Sequence, residues 1–293
     1  METHSEEYNK TKARIKAKLD AAIEEDLLNG ATSEKPKKSR LIPILVTTLS
    51  AAAVLMAAVL INTSRKQQTI DSIKWVEVIT AYGEKKAVTL PDSSTIWLHN
   101  DSRIIYPDRF SGKTRQVFSS GEVFVKVTPD KKHPFILSSN GVNVCVKGTT
   151  FNYRSYPETS DVELTLIEGA VDLKMNIGGI DKTVSVTPGQ IVKANLTEGR
   201  ISQFTFAPEK YVSWKDTKSI YFNDETLETI AVELQRQFDI RIEIRSEALK
   251  TTRFYASFLD CDDPMLILKS LNTTGMMHIV QKGNTYFIYP NIY

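Results

Sequence analysis

Apolar residues follow three different patterns along the chain. Between residues 5 and 29 they recur at helical spacing, with Tyr8, Ile15, Leu19, Ala22, Ile23 and Leu27 on one face among Lys, Arg and Glu. This is the pattern of an amphipathic helix, with Gly30 as its stop. From Leu41 to Ile61 the chain is uncharged for 21 residues, eleven of them Leu, Ile or Val. As a helix this stretch would measure about 32 Å, against roughly 30 Å for a bilayer core. It is expected to be an uncleaved signal anchor. The competing readings are a buried core helix and a cleaved signal peptide, whose apolar run would be shorter and its leader much shorter.

From about Val76 to Phe206 the period changes to two. Val88 and Leu90, Ile96 and Leu98, and Ile104 and Tyr106 alternate with polar residues. So do Val123, Val125 and Val127, then Val142, Val144 and Val146, then Val162, Leu164 and Leu166. Breakers such as Pro91-Asp92-Ser93, Ser120-Gly121, Gly148, Gly169 and Pro188-Gly189 separate the segments. This predicts an all-β sandwich, barrel or roll. Cys145 is out of phase with its valines and is expected to face away from them.

The pattern changes again after residue 219. Ser219–Phe222 and Ile240–Ile244 are strand-like. Between them Asn223 or Asp224 can cap a helix that carries Leu227, Ile230, Ala231, Leu234 and Phe238 on one face. Arg253–Phe258 predicts a strand, Asp263-Pro264 a helix start, and Met277–Gln281 with Thr285–Tyr289 a hairpin around Gly283. The order βαβ-βαβ-β describes a small α/β domain. The expected layout is therefore 1–40 a helical tail, 41–61 the span, 62–75 a tether, 76–206 the β domain, 207–218 a linker and 219–293 the α/β domain.

Charge adds little to this picture. Residues 1–40 carry nine Lys/Arg and eight Asp/Glu, and residues 62–293 carry 28 and 27. Neither part has the basic excess of a nucleic-acid binder. Lys35, Lys37, Lys38 and Arg40 precede the apolar run, against Arg65, Lys66 and Lys74 after it. This is a small bias toward a cytoplasmic N-terminus and an exported C-terminal part. Cys145 and Cys261 make no CxxC and set no disulfide framework. His4, His99, His133 and His278 are scattered, with no Cys or His at metal spacing. There is no GxSxG elbow, and Gly112-Lys113-Thr114 lacks the earlier glycine of a phosphate loop. No catalytic centre, cofactor or metal is expected. The profile is that of an anchored interaction protein.

One series of motifs is more specific. Ala87-Val-Thr-Leu-Pro-Asp-Ser-Ser-Thr-Ile-Trp-Leu-His-Asn100, which contains Leu90, Pro91 and Asp92, resembles the VxLPDGSxVxLN motif of the FecR family. Ser102-Arg-Ile-Ile-Tyr-Pro107 with Phe110 is similar to SxIxYPxxF. Arg115-Gln-Val-Phe-Ser-Ser-Gly-Glu-Val-Phe-Val125, which contains Gly121 and Glu122, is similar to RxVxLxGEAxFxV. His133-Pro-Phe135 and Val144-Cys-Val-Lys-Gly-Thr-Thr-Phe-Asn152, with Gly148, Thr149 and Phe151, follow PFxV and VxVLGTxFNV. Leu166-Ile-Glu-Gly169, Pro188-Gly-Gln190 and Trp214-Lys215 complete the series, in order, over most of residues 76–215. The C-terminal part resembles the small secretin/TonB N-terminal-like domain that follows FecR in Bacteroidota-type members. Ser93 stands where the family has glycine.

The resemblance implies a single-span membrane protein: a short cytoplasmic helix, one transmembrane helix, an all-β periplasmic FecR domain and a small C-terminal α/β domain. It implies an anti-sigma factor of the inner membrane. The cytoplasmic part would hold an ECF sigma factor, here through Ile15, Leu19, Ile23 and Leu27. The exported part would take a signal from the signalling domain of an outer-membrane TonB-dependent receptor, in iron or glycan uptake. Self-cleavage at Gly148-Thr149, by attack of the threonine hydroxyl on the preceding carbonyl, is a feature of some members. The alternative there is a glycine required by the backbone. A membrane-anchored periplasmic ligand-binding protein, with Trp97, Tyr106, Tyr153 and Tyr156 lining a site, and an envelope assembly adaptor are the other two functions weighed.

Overall fold

The computed structural model describes residues 73–205, 213–217 and 219–291, together with Met56. All described strands fall in one compact unit, Thr69–Tyr293. Thirteen of them form the β part. They are β1 Trp75–Ile79, β2 Lys86–Thr89, β3 Thr95–Leu98, β4 Arg103–Pro107, β5 Arg115–Lys126, β6 Phe135–Ser139 and β7 Val142–Val146. β8 Thr150–Ser155, β9 Asp161–Glu168, β10 Val171–Ile177, β11 Ile180–Val186, β12 Gln190–Asn195 and β13 Arg200–Thr205 follow.

The long strand β5 belongs to two sheets. Its first half pairs with β4 and, in parallel, with β6, in a sheet ordered β1-β4-β5-β6-β7-β10-β11. Its second half pairs antiparallel with β3 and β8, in a sheet ordered β2-β3-β5-β8-β9-β12-β13. The expected breaker Ser120-Gly121 thus lies inside a strand. Gly121 has φ +93°, which lets β5 leave one sheet and enter the other without ending.

The core lies between the two sheets. Ile96, Leu98, Ile104, Val123, Val125, Val142, Val144, Leu164 and Leu166 are all fully buried there. Strict alternation explains this, because every second residue of a strand points to the same face. Cys145 takes the opposite face of β7, and both cysteines are free thiols.

The first family turn is built as its sequence requires. Leu90 accepts from the Ser93 N–H (3.0 Å) and donates to the Ser94 carbonyl (2.8 Å). Asp92 accepts from the Ser94 hydroxyl (2.7 Å) and from the buried Arg115 guanidinium (2.6 Å). Ser93 sits at φ +67°, a left-handed conformation that costs a non-glycine residue about 1–2 kcal/mol. Ser93→Gly is expected to stabilise the protein by about 0.5–1 kcal/mol after glycine's own entropy loss. A urea midpoint at or below that of the parent would refute this.

The α/β part comprises β14 Ile220–Thr226, α1 Leu227–Phe238, β15 Arg241–Ile244, α2 Glu247–Lys250, β16 Arg253–Phe258, α3 Pro264–Leu271, β17 Met277–Lys282 and β18 Thr285–Pro290. β14 pairs with β16, while β18 lies between β15 and β17. Two details differ from expectation. The α1 cap is Thr226, whose hydroxyl accepts from the Thr229 N–H, and not Asn223 or Asp224. Asp224, at φ +58°, makes a bulge that lets β14 run on to Thr226. The single-turn helix α2, capped by Ser246, is too short to leave a period in the sequence.

The expected fold class needs a larger correction. Among the described residues no helix is long and apolar enough to cross a membrane. The longest, α1, has 12 residues, about 18 Å against roughly 30 Å of hydrocarbon. It also carries Glu228, Glu233 and Arg236. The described architecture is a mostly β protein with a small α/β part, in which no membrane-spanning helix is found. The expected helix over residues 5–29 and, Met56 apart, the stretch Leu41–Ile61 lie outside the described residues.

Candidate functional site

Where the β part meets α1, the buried residues are mostly charged or polar, with the aromatic rings of Trp214 and Tyr156 among them. In β8 the odd positions Phe151 and Tyr153 enter the core, so the even ones, Asn152 and Arg154, face the opposite way. Glu122 in β5 is likewise out of phase with the core residues Val123 and Val125. His99 follows β3 directly. From the other side α1 turns Leu227, Ile230, Ala231 and Leu234 into the α/β core. Glu233 and Arg236, three residues apart on a second stripe, face the β part.

These groups interlock. Arg154 Nη2 donates to Glu233 Oε2 at 2.8 Å. Asn152 Nδ2 donates to Glu122 Oε1 at 2.8 Å, and the Trp214 indole N–H donates to Asn152 Oδ1 at 3.2 Å. The His99 ring lies 4.5 Å from that of Trp214. Arg236 stacks 3.7 Å over the Tyr156 ring and pairs with Asp101 and Glu158. Tyr156 in turn donates to the Asn100 carbonyl at 3.1 Å. At the edge Lys193 bridges Glu163 and Glu225, each at 3.0 Å. Backbone joins the seam too, since the Gly83 N–H donates to the Arg236 carbonyl at 2.8 Å. A cavity of about 870 Å³ opens beside these residues.

Burial acts to raise the Glu122 pKa. The His99 ring, the Arg154 charge and the Asn152 amide outweigh it and hold the carboxyl at about 2 instead of its ordinary 4.5. The sign of the linkage follows. A carboxyl with a lower pKa folded than unfolded adds stability above about 4.5, and that contribution disappears as the pH falls toward 2. Urea denaturation of the parent is expected to weaken across this window, and Glu122→Gln should flatten part of the slope. Equal slopes would refute this.

Most of the motif residues singled out in the sequence prove to be architectural. Leu90, Tyr106 and Phe151 are core, Pro107 is buried at the end of β4, and Asp92 neutralises Arg115. Pro91 is exposed in its turn. Gly148 has φ +153°, and a Cβ there would meet Pro129 Cα at 2.8 Å. A Cβ on Gly169 would meet the Gly148 carbonyl oxygen, also at 2.8 Å. The Thr149 hydroxyl donates to the Ala170 carbonyl (3.1 Å). Backbone crowding thus accounts for the glycine at 148, while the Thr149 hydroxyl is hydrogen-bonded in this structure. Of the aromatics considered for a ligand site, Tyr106 and Tyr153 are core, Trp97 packs on Phe124 and Tyr156 lines the cavity. Ile15, Leu19, Ile23 and Leu27 lie outside the described residues.

From that set Glu122, of the GE motif, and Tyr156 reach the seam. They are joined there by Asn152 and Trp214 from two further motifs. His99, Arg154, Glu233 and Arg236 carried no signal in the sequence. Residues far apart along the chain meet at this place, and no local spacing encodes that.

The FecR protein family model matches residues 76–172. The model of the FecR C-terminal domain matches residues 219–288, so the two together cover more than half of the chain. The chain belongs to the FecR family. Two crystal structures of a proposed anti-sigma factor from Parabacteroides distasonis resemble this FecR-family chain, with TM-scores of 0.70 and 0.69 and 22% identity in both. They cover 75% and 74% of this chain and 100% of their own. At that identity the likeness speaks for the fold. No curated protein matches. The seam described above joins the two family domains.

Proposed function

We propose that this FecR-family protein is an anti-sigma factor that holds an ECF-type sigma factor through Ile15, Leu19, Ile23 and Leu27. It relays to that factor a signal from the signalling domain of a TonB-dependent outer-membrane receptor, in iron or glycan uptake. The observation that carries this reading is the presence of both family domains, in order and interlocked through Arg154–Glu233 and Arg236–Asp101. A relay needs an element with two arrangements that a partner can bias. A polar, ion-paired seam suits that role better than an apolar one, because its charges can be re-solvated when it opens. The receptor's signalling domain adds to the edge of β16, which among the described residues pairs with β14 alone and exposes Tyr255.

The test is co-expression of the full chain with the sigma factor encoded nearest its gene. Co-purification is expected, with Leu19→Asp and Ile23→Asp each weakening it at least about tenfold through loss of apolar contact. Failure of the parent chain to retain the sigma factor would overturn the reading.

A further inference from the structure

We propose that His99, Glu122 and Glu233 form a binding site for a divalent ion of the zinc class, which ties α1 to the β part. His99 Nδ1 lies 3.4 Å from Glu122 Oε2 and 3.8 Å from Glu233 Oε1. All three ligand atoms lie within 4.8 Å of one another. Ligands on a tetrahedral ion at about 2.0–2.1 Å stand roughly 3.3–3.4 Å apart, so a small inward adjustment closes the site. The His99 side chain is 3% exposed; Nδ1 faces both carboxylates without a well-aligned hydrogen bond to either, and Nε2 has no hydrogen-bond partner. Leaving a buried polar atom unpaired is unfavourable, and an ion bound at Nδ1 satisfies one of them.

The carboxylates are arranged to match. Each uses one oxygen for an outer partner, Asn152 on Glu122 and Arg154 on Glu233, and turns the other toward His99. That division is how outer partners orient metal ligands. One imidazole and two carboxylates suit zinc or cobalt better than magnesium or calcium, which prefer oxygen alone. Three protein ligands leave a fourth position for water. His99 and Glu122 come from the β part and Glu233 from α1. The ion would therefore set how firmly the two FecR-family domains hold each other, which is a property separate from the sigma-binding residues.

The full chain, stripped of metal with a chelator and dialysed, would be titrated with zinc chloride by calorimetry and with cobalt chloride by visible absorption. One ion per chain is expected, with the absorption of low-coordinate cobalt and a melting temperature that rises with zinc. His99→Ala and Glu233→Gln should each weaken binding at least about 100-fold, and Asn152→Ala, an outer partner, by about 10–100-fold. His133→Ala, on an exposed histidine elsewhere, should bind as the parent does. If His99→Ala does not fold, Glu233→Gln decides the matter. No saturable binding by the folded parent, or equal binding by Glu233→Gln, would overturn the proposal.

Discussion

Gly121→Val is expected to destabilise the protein by about 3–5 kcal/mol, among the larger effects a single substitution can have. Two terms add. A β-branched residue at φ +93° is strained by about 1–3 kcal/mol. The new Cβ would also stand 2.8 Å from the Asp101 carbonyl oxygen and 2.8 Å from Ser102 Cα, and closer still to the Ser102 hydroxyl. Ser102 cannot move aside cheaply. Its N–H donates to Thr80 Oγ1 (2.9 Å), its hydroxyl donates to the Asn100 carbonyl (3.1 Å), and the same oxygen accepts from the Glu122 N–H (2.9 Å). Overpacking here therefore displaces the crossing of β5 and the carboxylate that follows it. A urea midpoint within about 0.5 kcal/mol of the parent would show that β5 can cross between sheets without a left-handed residue.

Trp214→Ala is expected to cost about 3–5 kcal/mol, in the range for removing a buried aromatic. The side chain is 6% exposed. It packs on His99, carries Lys85 Nζ 5.7 Å above its ring, and donates to Asn152. Its own carbonyl accepts from Lys85 Nζ at 2.7 Å. Trp214→Phe keeps most of the packing and loses the N–H, so about 1 kcal/mol is expected. Because Trp214 fills the seam, the alanine variant should also split thermal unfolding into two transitions. A single transition at the parent's temperature would mean that the ion pairs alone join the domains.

The parts of this fold that were legible in the sequence are those with a short period or a fixed local chemistry. Val142, Val144 and Val146 announced β7 because alternation places them on one face whatever they pack against. Pro264 after Asp263 announced α3 because both residues act within one turn, and the Asp263 carboxylate does accept from the Met265 N–H. Ser93 was seen to occupy a glycine position, and its positive φ gives the reason. The extension of β14 past Asp224 was hidden, since a bulge depends on one backbone angle and not on a pattern. The seam was hidden for a different reason. His99, Glu122, Arg154 and Glu233 each look like an ordinary solvated polar residue, and only tertiary packing buries them together. Glu122 stood out through its motif, but the motif says nothing of its partners.

The sharing of β5 between two sheets bears on how the protein is made. Residues before β5 supply β1 and β4 to one sheet and β2 and β3 to the other, while β6 to β13 complete both from the far side. A chain leaving the ribosome can close neither sheet early. One waits for β11, which ends at Val186, and the other for β13, which ends at Thr205. β5 itself is fully flanked once β6, ending at Ser139, and β8, ending at Ser155, have emerged, but until β11 and β13 follow, the growing edge of each sheet presents unpaired backbone and apolar faces, the condition under which nascent β-proteins need a chaperone.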